Sequence, residues 1–246
     1  MFQRIILIIL DACGIGALPD AEEYGDTGAA TIPNVARESE GLTMPNCRKL
    51  GLGNITYIEG VAPLKNPISA WSRMAEKSPG KDSTSGHWEI AGIILRKAFP
   101  TYPHGFPIEL VARFEKAAGV KTIGNIAASG TEIIEKLGQK HIETGAIILY
   151  TSADSVFQLA AHEEIIPLEK LYEICRIARP LLQGEYAVGR VIARPFMGTS
   201  GHFIRTTSRK DFSLEPPSDT VLDQLMKKNI PTVAVGKIDD LFAHRG

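Results

Sequence analysis

The sequence predicts an α/β fold on a mainly parallel sheet. Two observations carry this. β-branched apolar runs of strand length alternate with amphipathic stretches of helical period. The first run, RIILIIL at residues 4–10, stops on an ionisable residue, Asp11, where open α/β sheets place their ligand chemistry. With 44% apolar and 22% charged residues, a disordered or fibrous chain is excluded. A chain of 246 residues buries a core without staples and holds one large domain or two modest ones.

In chain order, residues 4–10 read as a central strand buried on both faces, because isoleucine fills positions 5, 6, 8 and 9. Gly14 and Gly16 then open a loop, and short helices are expected at 33–37 and 46–50. Residues 68–75 alternate like a strand, 77–82 (KSPGKD) form a loop, and 90–95 suit a short helix. A helix over 106–118 starts with Pro107 and ends near Gly119. Next come a strand at 121–126, a helix at 131–138 with Thr131 as its cap, and a strand at 145–151. A helix follows at 168–182, then a strand at 187–195 bearing Arg190 and Arg194. The last elements are a helix at 219–228 and a buried strand at 232–236. The sequence stops soon after that strand, so the expectation is a sheet interrupted before its neighbours are supplied.

Charge is balanced, with 27 Lys plus Arg against 28 Asp plus Glu and a net charge of −1. No basic excess draws in nucleic acid or an anionic membrane, so any phosphate binding must be local. Cys13, Cys47 and Cys175 are too few and too scattered for a disulfide framework and read as reduced thiols. The apolar run near the start is too short to span a bilayer and lacks a small-residue cleavage site, which points to the cytoplasm. Nothing in the sequence specifies a protein partner.

The densest chemical cluster is KDSTSGHWE at 81–89. Hydroxyls before a helix serve as caps, yet the same free N–H groups suit a phosphoryl group, and an activated hydroxyl can attack phosphorus. Asp11 suits either a turn cap or a carboxylate ligand for a hard cation. Arg190, Arg194, Arg205 and Arg209 lie close in sequence, and a convergent pair among them would clamp a phosphate ester. Solvation is the reading kept for Arg194 and Arg209. Asp154 follows the strand at 145–151 and suits either sugar hydroxyls or a turn. None of the six histidines forms a local ligand pair, although Asp239 and His244 make a tempting acid–histidine combination near the end.

Taken together, these segments resemble the bacterial-type phosphopentomutases of the alkaline phosphatase superfamily. The likeness rests on LDACGIGALPDA at 10–21, MPNCRKLGLGN at 44–54, KSPGKDSTSGHWEIAG at 77–92, ASGTEII at 128–134, YTSADSVFQ at 150–158, AAHEEIIPL at 160–168 and GRVIARPF at 189–196. The resemblance implies a phosphatase-like α/β core interrupted by an inserted α/β cap. The first core part would cover 1–97, the cap 98–217, and the start of the returning core 218–246. It further implies two Mn2+ ions, with Asp11 and Ser83 as ligands. Ser83 would be the phosphorylated nucleophile, where relatives usually carry threonine. Ser152, Asp154 and Val156 would face the sugar, and Arg190 and Arg205 would grip the distal phosphate. The family's other metal ligands align beyond residue 246. The alignment through residues 236–238 assigns the Asp239 and His244 spacing to coincidence.

The implied activity is phosphopentomutase: interconversion of ribose 1-phosphate and ribose 5-phosphate, and of the deoxyribose equivalents, with a sugar bisphosphate such as glucose 1,6-bisphosphate as activator. With its core incomplete, the chain by itself is expected to be inactive. The rival readings are a metal-dependent phosphatase of the same superfamily and a non-catalytic sugar-phosphate-binding fragment.

Overall fold

The computed structural model describes residues 3–246 and divides into two compact units, one ending at Glu76 and one running from Lys77 to Gly246. The first unit holds three short helices, α1 (Thr31–Glu38), α2 (Pro45–Lys49) and α3 (Leu52–Ile55). They enclose a small core of Ala36, Ile58 and Val61, flanked by Ile32, Leu42, Met44 and Leu52. Gly53 is required here, because a Cβ would stand 2.3 Å from the Val61 carbonyl oxygen. The Asn54 side chain closes the loop behind it, accepting the Leu64 N–H and donating to the Leu64 carbonyl.

Residues 4–10 do not form the expected strand: Ile5, Ile6, Leu7, Ile8 and Leu10 are between 63% and 83% exposed. The residues at 68–75 and 232–236 likewise lack strand pairing, and Val233 and Val235 are more than four-fifths exposed. Strand propensity describes fit to a pleated, half-buried surface, and none of the three segments has a ladder partner among the described residues.

The second unit contains a six-stranded sheet and six helices of its own. In chain order these are α4 (Ser83–Ile90), α5 (Ile108–Ala118), β1 (Thr122–Ala127), α6 (Gly130–Thr144), β2 (Ile147–Thr151) and β3 (Val156–His162). α7 (Leu168–Ala178), β4 (Arg190–Met197), β5 (Ile204–Arg205), β6 (Lys210–Ser213), α8 (Val221–Lys227) and α9 (Ile238–Leu241) complete it. The chain is α/β as predicted, but the sheet is mixed. β1 with β2 and β3 with β4 are parallel, while β2–β3, β4–β5 and β4–β6 are antiparallel. The short link between Thr151 and Val156 forces the first antiparallel step, since a parallel return needs a crossover of a dozen residues or more.

Helices cover both faces. α5 and α7 pack Leu110, Phe114, Leu171 and Ile174 on one, against Leu149, Phe157, Leu159, Val191 and Ala193. α6 packs Ile133 and Ile134 on the other, against Ile148, Tyr150, Ala160 and Phe196. Gly119, at φ +64°, ends α5 where the sequence places the stop. α6 is longer than expected and is capped by Ser129, whose Oγ accepts the Glu132 N–H, and not by Thr131. α4 ends at Ile90 in place of a helix over 90–95, because Gly92 at φ +104° turns the chain and lets the Ile93 N–H reach the Trp88 carbonyl. α4 is fixed through Trp88, which lies among Ile93, Leu241 and Phe242 and donates its indole N–H to the Leu241 carbonyl at 3.0 Å. The three cysteines are free, Cys175 being buried. Among the described residues no helix is long and apolar enough to cross a membrane.

Candidate functional site

The hydroxyl cluster does not precede a helix; it begins one. Asp82 is the extended N-cap of α4, and its Oδ1 accepts the Thr84 N–H at 2.7 Å. Ser83 is therefore the first helical residue and stays half-buried, whereas Thr84 and Ser85 are buried. The Ser85 hydroxyl is spent on the Asp82 carbonyl at 2.8 Å. His87 Nδ1–H donates to the Ser83 carbonyl at 2.6 Å, so this ring orders the helix start.

The sheet presents one end to this helix. There the carboxyl ends of β1, β2 and β6 meet the amino ends of β3 and β4. A cavity of about 260 Å³ opens at that end. Ser83, Ser152, Asp154, Val156 and Arg190 all line it, so five of the seven predicted site residues share one space. Asp11 lies in the other unit, exposed at a turn in which the Cys13 N–H donates to the Leu10 carbonyl and Ala12 adopts φ +62°. Arg205, on β5, is outside the cavity lining; its Nη1 lies beside Gly130 at the start of α6.

Arg190 is the electrostatic centre of the cavity. Its guanidinium, 4% exposed, faces Asp211 at 3.2 Å, Asp154 at 3.5 Å and Asp82 at 3.9 Å. Asp211 also receives Arg209 in a two-pronged pair at 2.7 and 2.6 Å. Burial, reinforced by the negative charge of Asp82, pushes the Asp154 carboxyl above its ordinary range, with Arg190 pulling the other way. Asp82 Oδ2, Thr84 Oγ1 and Arg190 Nε are buried without a hydrogen-bond partner. Unsatisfied polar atoms of this kind are costly, and clustered around a cavity they suit a polar occupant.

No protein-family model matches the chain. Its curated relatives are informative. It is 59% identical to the phosphopentomutase of Clostridium novyi over all 246 residues. The match to the phosphopentomutase of Caldanaerobacter subterraneus subsp. tengcongensis is 58% over the same span, and to that of Acetivibrio thermocellus 57% over 244 residues. By sequence, the chain is a relative of the phosphopentomutases. It spans 62–63% of the length of these three proteins. The phosphopentomutase relationship extends along both units, and so includes Asp11, Ser83 and the lining of the cavity.

Sequence reasoning missed part of the lining. Gln158, Ile192, Arg194, Arg209 and Lys237 also face the cavity, as do residues 128–130. Arg194 is only partly exposed and donates Nε–H to Gln158 Oε1 at 3.0 Å, so it is not the solvated surface arginine expected, whereas Arg209 stays exposed while it pairs with Asp211. A signal for Arg194 was present: residues four apart on a strand point to the same face, and Arg190 was already singled out. Gln158 carried no such signal. At the far end of the chain, His244 Nδ1 and Asp239 Oδ2 are 2.5 Å apart, and Asp240 completes a mostly exposed acidic cluster with them.

Proposed function

We propose that this chain carries the nucleophile and the sugar-phosphate site of a phosphopentomutase. The supporting observation is the shared cavity: Ser83, at the first position of α4, faces the same space as Asp154 and Arg190. In this reading Ser83 Oγ bonds to phosphorus as the bond from phosphorus to a donor sugar oxygen breaks. The serine proton leaves, and the departing oxygen gains one. The same phosphoryl group then passes to the free hydroxyl of a pentose monophosphate, ribose or deoxyribose. Ser83 takes back the other phosphate from the bisphosphate so formed, which releases the isomerised monophosphate and restores the phosphoserine. The free N–H groups at the start of α4 stabilise charge on the transferring group. Asp154 and Ser152 accept and donate hydrogen bonds to sugar hydroxyls, Val156 packs against the ring, and Arg190 with Arg205 serves the non-reacting phosphate. A sugar bisphosphate such as glucose 1,6-bisphosphate primes the serine. The residues 98–217 act as the cap and residues 1–97 and 218–246 as core, in the cytoplasm.

The metal question turns on donors. Two Mn2+ ions need about a dozen ligand atoms between them. The expected set in this chain is one carboxylate, Asp11, and one hydroxyl, Ser83. These two side chains, with three oxygens between them, do not fit two ions, so no step is routed through metal here, and the 246-residue chain by itself is proposed to be inactive.

A phosphatase is the runner-up. A hydrolase needs no lasting grip on the sugar, and the pairing of Asp154 with a buried arginine in the cavity favours the mutase. Ribose 5-phosphate binding is the direct test. Calorimetry should show it binding the chain more tightly than inorganic phosphate, with the difference lost in Asp154→Asn. Equal affinity for the two would remove the sugar site. Where turnover is measured, isomerised sugar phosphate against free phosphate separates mutase from phosphatase.

A further inference from the structure

Arg205 stands on a strand of only two residues. Both residues of β5 are exposed, and its ladder consists of Phe196 opposite Arg205 and Met197 opposite Ile204. β5 is also the last strand in the order β1-β2-β3-β4-β5, so it has a neighbour on one side alone. A pairing this short does not by itself hold a side chain to one place. Carboxylates from two other elements tie the hairpin down before and after the arginine. Before it, the Phe203 N–H donates to Glu135 Oε1 on α6 at 2.8 Å, and the Phe203 ring shares a core with Ile133, Ile134 and Phe196. After it, the Thr206 hydroxyl donates at 2.6 Å to Oε1 of Glu163, which follows the end of β3. The Thr206 N–H continues the pairing by donating to the Pro195 carbonyl. His162, beside Glu163, holds the turn of the same hairpin. Its Nδ1 accepts the Glu164 N–H at 3.3 Å, so Nε2–H donates to the Gly198 carbonyl at 3.0 Å. Glu135 and Glu163 each take a neutral donor, and neither lines the cavity.

We propose that Glu135 and Glu163 are positioning residues for Arg205, fixing the hairpin from Gly198 to Thr206 so that the guanidinium keeps its place beside Gly130. Hydrogen bonds to a carboxylate are shorter and stronger than those between neutral groups, which suits them to pin a strand that its ladder holds weakly. Losing one anchor lets the arginine spread over several placements, and ordering it again costs ligand affinity. This role rests on the reading proposed above, in which Arg205 serves the non-reacting phosphate.

Ribose 5-phosphate titrated into the 246-residue chain, followed by phosphorus NMR, is the test. Thr206→Val, which keeps the shape and loses the hydroxyl, and Glu135→Ala should each weaken binding about fivefold, the scale of one hydrogen bond. Thr206→Ser and Glu163→Gln keep the bond and should stay within about twofold of the parent. In an Arg205→Ala background Thr206→Val should change nothing further, a result that general loosening of the fold would not give. If Arg205→Ala weakens binding while Thr206→Val and Glu135→Ala do not, the positioning role is overturned and the arginine keeps its part. Equal weakening by Thr206→Val with and without Arg205 overturns it in the same way. If Arg205→Ala leaves the affinity unchanged, or the parent does not bind ribose 5-phosphate, the reading of Arg205 falls and the positioning role falls with it.

Discussion

Arg190 Nη1 donates to Asp211 Oδ2 at 3.2 Å across the β4–β6 ladder, and both side chains are almost wholly buried. Because Asp82 and Asp154 face the same guanidinium, its removal leaves three carboxylates to share a site without their common cation. Arg190→Ala should therefore cost about 3–5 kcal/mol of stability, the scale of a broken buried pair, measured by urea unfolding. Arg190→Ala combined with Asp211→Ala should be less destabilising than the two single costs added. A loss below about 1 kcal/mol for Arg190→Ala would mean that water already screens the cluster.

Phosphate delivered by a sugar bisphosphate should appear on Ser83 and not on its neighbours. Thr84 is fully buried and the Ser85 hydroxyl is bonded to the Asp82 carbonyl, whereas Ser83 borders the cavity. Mass mapping of the treated protein decides it. Phosphate confined to Thr84 or Ser85 would refute the assignment.

Acid should loosen α6 from the sheet through His141. Its Nδ1–H donates to the Ala146 carbonyl at 2.7 Å, and its Nε2 accepts the His162 backbone N–H at 2.9 Å, so the folded ring is neutral. Burial lowers its pKa from the ordinary 6.5, although the bond to Ala146 pulls the other way. The unfolded chain then binds a proton more readily than the folded one. The contribution is complete above about pH 6.5 and declines as pH falls from there toward the lower folded value. Urea unfolding at pH 7.5 and pH 5.5 should show this decline, and His141→Leu should flatten it. The same slope in that variant would assign the effect to other groups.

Gly138→Ala opposes two effects. Alanine gains up to about 1 kcal/mol of helix propensity within α6. Its Cβ would lie 2.5–2.9 Å from three ring atoms of Phe203, and overpacking costs about 1–3 kcal/mol. The net change should be destabilising. A raised melting temperature would show that Phe203 moves aside freely.

The 246-residue chain should not hold two manganese ions tightly. Asp11 and Ser83 are two donor side chains with three oxygens, and so few donors compete poorly with water. Calorimetry with MnCl2 is the measurement. Two stoichiometric ions would return Asp239, Asp240 and His244, whose ligand atoms lie within 4.8 Å of one another, to consideration as ligands.

How legible the sequence is depends on where the stabilisation comes from. α5 is readable because local signals, Pro107 and Gly119, bracket an apolar stripe. β2 is readable as an unbroken apolar run. β3 escapes notice although all seven of its residues are buried, because a strand covered on both faces has no alternation and Gln158 and His162 interrupt its hydrophobicity. The opposite failure occurs at residues 4–10, where composition is ideal for a strand and the ladder that would make it one is absent among the described residues. Within the site, Ser83 and Asp154 stand out by their company in the sequence.

The alternation of β4 has a consequence for folding. Val191 and Ala193 face the layer of α5 and α7, while Arg190, Ile192 and Arg194 face the cavity. A slip of one residue against β3 would exchange the two sets and drive two guanidiniums into the hydrocarbon packing around Phe157 and Leu159. Such a misthreaded sheet would be rejected at once, since an unpaired buried charge costs several kcal/mol. The two arginines that line the cavity thus proofread the pairing of the strand that carries them, and neutralising both should yield a chain that folds into mixed registers before it fails to bind anything.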